Sequence, residues 1–195
     1  MWYSYFEHPP QFQILHCLRN RVRGGASRFV DAVRVANALR AENPDAFELL
    51  ATTPVAFHYI NDGHHLHRKH TTIELARVAN PGVEVGEVAY VNYSPPFQAP
   101  LPRETPAAFY DALRLFAERL EDPAGRYECT MREGDAVVFN NRCVLHARTA
   151  FSSLDNSTAG TGEPDRWLKG CYLDGDAIAD RARMLRTELG GSNTE

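Results

Sequence analysis

Two residues near the end of the chain have the types and spacing that suit chemistry. His146 lies in the block Phe139-Asn140-Asn141-Arg142-Cys143-Val144-Leu145-His146-Ala147-Arg148, on a short predicted strand beyond a polar turn. Arg166 opens a later block, Arg166-Trp167-Leu168-Lys169-Gly170-Cys171-Tyr172, 20 residues further on. An imidazole can ligate a metal, and a guanidinium offers a planar two-donor fork that matches a carboxylate. Together they would suit an iron enzyme that takes a dicarboxylic cosubstrate. Each also has a plainer reading, as a packing histidine and as a surface or ion-pair arginine. A second histidine-rich stretch, His64-His65-Leu66-His67-Arg68-Lys69-His70, has ligand-like spacing. It adjoins the turn Asn61-Asp62-Gly63 and carries two cations, so it is expected to be a solvated loop that binds no native iron. Gly24-Gly25 is too short for a phosphate-binding loop, and no Gly-x-Ser-x-Gly elbow exists.

The elements that must position these residues are short strands with a few helices outside them. Residues 11–18 (QFQILHCL) follow Pro9-Pro10 and read as a strand. Helical periodicity runs over 31–42, and Pro44 starts a second short helix with Asn43 as N-cap. Residues 55–59 and 85–93 are predicted strands. Thr105 and Pro106 are the expected N-cap and first residue of the clearest helix. Its apolar stripe is Phe109, Leu113, Phe116, Ala117 and Leu120. Strands are predicted at 127–131, 136–140, 144–149 and 168–173. The composition of 152–165 marks a flexible loop, and a last helix spans 176–189. This pattern predicts a β-sandwich or barrel flanked by helices.

The composition is that of a globular domain, 44% hydrophobic and 24% charged over 195 residues, with formal net charge −4. That excludes a mainly disordered chain and gives no basic surplus for nucleic acid. No apolar run approaches the roughly 18 residues of a membrane span. Cys17, Cys129, Cys143 and Cys171 form no CxxC pair and are expected to be reduced and mostly buried. The aromatic start, Met1-Trp2-Tyr3-Ser4-Tyr5-Phe6, reads like the middle of a domain.

Three blocks resemble the γ-butyrobetaine/trimethyllysine dioxygenase group of the taurine-dioxygenase-like superfamily. They are Glu7-His8-Pro9-Pro10 running into Gln13-Ile14-Leu15-His16-Cys17-Leu18-Arg19-Asn20; Gly24-Gly25-Ala26-Ser27-Arg28-Phe29-Val30-Asp31; and 141–151 followed by 166–174. Residues 54–59 and 91–93 add family-like segments in the expected order. The resemblance runs from about Tyr3 to Leu189. It implies a mainly β fold with flanking helices, a partial double-stranded β-helix (jelly roll). It also implies Fe(II), 2-oxoglutarate and O₂, used to hydroxylate a betaine-like small molecule. His146 matches the distal iron-ligating histidine, and Arg166 the 2-oxoglutarate clamp. Leu15 falls where the family packs a leucine on the cosubstrate, and Ser27 is a further contact. Tyr172 and Tyr3 fall at positions of an aromatic cage for a trimethylammonium group, held by cation–π attraction. Asn92 matches a polar residue facing substrate.

The family's His-x-Asp ligand pair does not match. Counting back from Glu7-His8-Pro9-Pro10, the Asp position falls at Trp2 and the His position before Met1. A 2-His-1-carboxylate site needs three protein ligands. The chain is therefore expected to be the C-terminal portion of a catalytic domain, without the strands that precede this motif. Glu7 and His8 match the family's own Glu-His-Pro-Pro and are not substitutes. The competing reading is a non-catalytic truncated paralogue that binds carboxylates or associates with a full-length partner or further copies of itself.

Overall fold

Prolines 9 and 10 introduce an extended start, from which β1 (Phe12–Asn20), the short β2 (Val22–Gly24) and β3 (Ser27–Asp31) follow in the computed structural model. The structure describes residues 3–79, 82–153 and 164–190. Helices α1 (Ala32–Glu42) and α2 (Pro44–Thr52) come next. Side chains set their starts. Asp31 accepts from the Arg34 amide and Asn43 from the Ala46 amide, each pairing a first-turn N–H that has no partner within the helix. Two antiparallel ribbons follow, β4 (Pro54–Asn61) with β5 (His64–Thr71) and β6 (Ile73–Leu75) with β7 (Val88–Val91). Helix α3 (Ala107–Leu120) leads to β8 (Arg126–Cys129), β9 (Ala136–Asn140), β10 (Val144–Arg148), β11 (Phe151–Ser153), β12 (Arg166–Leu173) and α4 (Gly175–Glu188).

Two antiparallel three-stranded sheets carry the site, with orders β12–β1–β9 and β10–β3–β8. Their inner faces meet through Phe139 of β9. Its ring centre lies 5.4 Å from that of Phe29 on β3 and 5.1 Å from that of His146 on β10. The architecture is mainly β with flanking helices, a partial jelly roll. The main core lies between the helices and the ribbons. Leu39, Phe47, Leu50, Phe109 and Phe116 pack there with Val55, Phe57, Ile73 and Val91. On α3 the buried stripe is Phe109, Ala112, Phe116 and Leu120, at helical spacing; Leu113 is only partly buried.

The structure departs from the sequence expectations at several places. The histidine-rich stretch is strand β5, not a loop. Asp62 and Gly63 both take positive φ, which closes a tight hairpin and pairs the stretch with β4 in full register. Most of its side chains are nevertheless exposed. The strand expected over 85–93 shrinks to β7, because Gly86 turns with φ +84 and Val85 lies outside the sheet. Helix α3 begins one residue later than expected. Pro106 is extended, with ψ 142, and caps the helix without a side-chain bond, so Thr105 is not the N-cap. Of the cysteines, only Cys17 is fully buried, and Cys171 is exposed; all are free. The Trp2 position and most of the expected 152–165 loop lie outside the described residues.

Candidate functional site

His146 stands on β10 directly opposite Phe29. Strand alternation turns its ring inward, onto Phe139. Burial pushes its pKa down to about 4, so the ring is neutral near pH 7 and keeps a lone pair for a ligand. Its Nδ1 is buried without a hydrogen-bond partner among the described residues.

Arg166 opens β12 opposite Asn20 of β1. Its Nη2 donates to the Gly25 carbonyl at 3.2 Å, and its Nε is buried and unpartnered among the described residues. The Gly24-Gly25 turn makes that placement possible. Both glycines have positive φ, and a Cβ on Gly25 would sit 3.0 Å from Arg166 Nε. A Cβ on Gly24 would lie 2.5 Å from the Ala150 carbonyl oxygen, against which the turn packs. Burial, then the neighbouring Arg148 cation, holds the Arg166 pKa below its ordinary value.

Leu15 on β1 is opposite Gly170 on β12 and Val137 on β9. Ser27 on β3 is opposite Arg148 on β10. These strands surround one cavity of about 350 Å³, lined by Leu15, Ser27, Phe29, His146, Ala147, Arg148, Arg166 and Leu168. The structure thus brings four of the sequence-predicted residues together: His146, Arg166, Leu15 and Ser27. Sequence reasoning missed Arg148, although the alternation that turns His146 inward does the same to residue 148. A second, more apolar cavity of about 270 Å³ also reaches His146, with Val30, Tyr93, Phe97, Leu120 and Leu145 on its wall.

Tyr3 and Tyr172 come together, but in a different place. Their ring centres are 4.7 Å apart and perpendicular, an edge-to-face contact in which one ring covers the other. Tyr3 also stacks on Phe6 at 5.1 Å. The Tyr172 hydroxyl accepts from Gln13 Nε2 at 2.9 Å, and burial raises its pKa, with Tyr3 and Tyr5 adding to the rise. Neither ring lines the His146 cavity.

Asn92 is placed elsewhere again. It is 1% exposed, and its Nδ2 donates to the Thr71 carbonyl and to Glu74 Oε2. Glu74 in turn pairs with buried Arg142, whose guanidinium carbon lies 4.3 Å from the Tyr90 ring centre. Asn92 does not line the cavity with His146, and its amide nitrogen serves an internal ion-pair network.

A metal needs several donors at once. Among the described residues, no three His, Cys, Asp or Glu side chains gather as a metal site. The described residues therefore do not by themselves fit an iron ion. A carboxylate fits better, because Arg166 Nε is a buried donor left open beside the cavity.

The fold is a partial jelly roll of two sheets, with a half-buried inward histidine on β10 and an arginine at the start of β12. Comparison with known proteins names its family. Residues 2–172 match the taurine catabolism dioxygenase TauD, TfdA family, and the chain belongs to that family. It is 51% identical over 182 residues to dioxygenase str8 of Strobilurus tenacellus, covering 93% of this chain and 42% of that protein. It is 33% identical over 199 residues to human γ-butyrobetaine dioxygenase, covering 98% of this chain and 47% of the relative. The chain thus spans less than half the length of these relatives. Among solved structures, an asparagine oxygenase in complex with Fe(II), 3-hydroxyasparagine and succinate shares the fold. The TM-score is 0.63 at 20% identity, over 91% of this chain and 50% of that one.

Proposed function

We propose that this chain is the cosubstrate-binding portion of an Fe(II)- and 2-oxoglutarate-dependent dioxygenase domain. The ancestral reaction is hydroxylation of a betaine-like small molecule of the γ-butyrobetaine type. One observation carries this reading: His146, Arg166, Leu15 and Ser27, from four different strands, line a single cavity. In this reading the Arg166 fork binds a carboxylate of 2-oxoglutarate, with Leu15 against its methylene chain. Ser27 is the further polar contact. His146, neutral at pH 7, is the one metal-ligating group that the described residues offer to the cavity. Phe29 and Phe139 keep water from its inner side. Tyr172 and Tyr3 are the proposed substrate-side aromatics. To receive a trimethylammonium group, Tyr3 would have to swing off the Tyr172 ring.

A second reading is favoured by the donor count. With no three metal-ligating side chains gathered among the described residues, the chain as given is a non-catalytic carboxylate binder or the partner of a fuller copy. One assay separates the two. Fe(II)-supplemented 2-oxoglutarate consumption is measured for the 195-residue chain and for a form extended upstream to carry His-x-Asp, each with and without γ-butyrobetaine. The expected result is turnover by the extended form alone, abolished by His146→Ala. Succinate formed by the short chain in step with 2-oxoglutarate loss would refute the non-catalytic reading. No turnover by either form, with 2-oxoglutarate bound by neither, would refute the first.

A further inference from the structure

Helix α4 sets its apolar residues on the surface rather than in the core. None of its residues, all of them described, is buried. Ile178, Ala182 and Leu185 recur on it at intervals of four and three, and its C-cap Leu189 continues the pattern four residues further on. That alternation lines one side of a helix, with the spacing at which two helices pack side by side. Ile178 is 38% exposed, Leu185 40% and Leu189 85%. Charge is sorted along the same helix. Its N-cap Asp174, then Asp176 and Asp180, come first; Arg181, Arg183 and Arg186 follow. Arg181 and Glu188 border the stripe on one edge, two turns apart, and pair at 3.4 Å. At the start of the stripe, Ile178 and Ala179 open onto a cavity of about 900 Å³ that Leu75, Ala76 and Ala89 also line.

We propose that α4 is a self-association surface, on which a second copy of this chain lays its own α4 antiparallel. Charge selects both the occupant and its direction. In the antiparallel pair the acidic half of each helix lies along the basic half of the other, and the helix dipoles oppose as well. In a parallel pair like halves would face each other. The stripe matches itself about a twofold axis between Arg183 and Met184, as an isologous interface requires. Ile178 then meets Leu189 of the second copy, and the small Ala182 meets its Leu185. The cavity beside Ile178 leaves room for that Leu189. Arg181 exchanges its own Glu188 for that of the second copy, and the exchange occurs twice per dimer. The interface is small. Fourteen residues make a helix of about 21 Å, too short for the roughly 1,600 Å² of a standard stable interface, so the dissociation constant belongs near about 1–100 μM. The inference stands apart from the reading above, since it needs neither Arg166 nor His146.

The test is sedimentation velocity of the 195-residue chain at low salt, over concentrations from about 5 to about 200 μM. The weight-average mass should rise from that of one chain toward that of two. Leu185→Asp should stay monomeric across the range. Arg181→Glu and Glu188→Arg should each self-associate roughly tenfold more weakly, because two exposed ion pairs become two repulsions. Mixed in equal amounts, these two variants should associate with each other more tightly than either does with itself, a result that a folding defect cannot produce. Added salt should narrow those differences. A parent chain monomeric at the highest concentration, a Leu185→Asp chain that dimerises like the parent, or a mixture that associates no better than its components would each overturn the proposal. So would a form extended upstream to carry His-x-Asp that stays monomeric throughout, since upstream chain would then cover α4. Co-sedimentation of a monomeric chain with phosphatidylglycerol vesicles would also overturn it and assign the stripe to a lipid surface.

Discussion

Gly25→Ala is the substitution that most sharply separates backbone strain from site geometry. Gly25 has φ +70, and an alanine there pays the left-handed penalty of about 1–2 kcal/mol. Its Cβ would also meet Arg166 Nε at 3.0 Å and Arg166 Cδ at 3.3 Å. That contact can be relieved, because the atoms belong to a side chain, but relief moves the guanidinium. Gly63 is the natural control. Its φ is +76, and nothing lies within 4 Å of the Cβ it would gain. Both variants should lose about 1–2 kcal/mol by urea unfolding, or roughly 2–8 °C in Tm for a chain of this size. Only Gly25→Ala should weaken binding of N-oxalylglycine, by about tenfold if one charge-assisted hydrogen bond is lost. If Gly25→Ala binds this 2-oxoglutarate analogue as tightly as Gly63→Ala does, the turn does not position Arg166 and the reasoning is wrong.

Other expectations follow from the core and the ribbons. Phe116 is fully buried among α2, α3 and the ribbons, so Phe116→Ala should cost about 3–5 kcal/mol in a denaturant titration. His70 is held below its ordinary pKa chiefly by burial, although its Nε2 contact with the Phe6 carbonyl opposes the shift. A depressed pKa means the neutral form favours folding. Its contribution is complete above the unfolded value of about 6.5 and is lost as pH falls below that. Unfolding titrations at pH 8 and pH 5.5 should therefore show a smaller drop for His70→Gln than for the parent chain. Replacing His64, His65 and His67 together with alanine should leave any Fe(II) affinity unchanged; a large loss would mean that the β5 histidines ligate the metal.

How much of this was legible in the sequence depended on whether a residue's neighbours are local. The starts of α1 and α2 were readable because Asp31 and Asn43 cap amides three residues away. Strand β9 was readable from its apolar run and the Gly134-Asp135 turn before it. Strand β5 was not. It forms half of a ribbon with one wet face, so its charged residues carry no apolar alternation, and its pairing comes from the Asp62-Gly63 turn and β4. Asn92 shows a similar limit. An amide's type says nothing of its partner, and here that partner, Glu74, is fixed by the buried Arg142 from the distant turn between β9 and β10. Arg148 was passed over because an arginine near a strand end is usually a solvated group. What singles it out is that it lines the same cavity as Arg166, a tertiary fact.

The central claim is that 2-oxoglutarate sits in the cavity between Arg166 and His146, and the Arg166 Nε–H reports on it directly. That donor is buried and open among the described residues, so its ¹⁵N–¹H resonance, assigned by its loss in Arg166→Lys, should respond to a carboxylate first. On titration with 2-oxoglutarate the resonance is predicted to shift downfield and exchange more slowly with water. The His146 ring signals should move along the same binding curve. Shifts that cluster elsewhere, with the Arg166 and His146 resonances unmoved at saturation, would contradict the account.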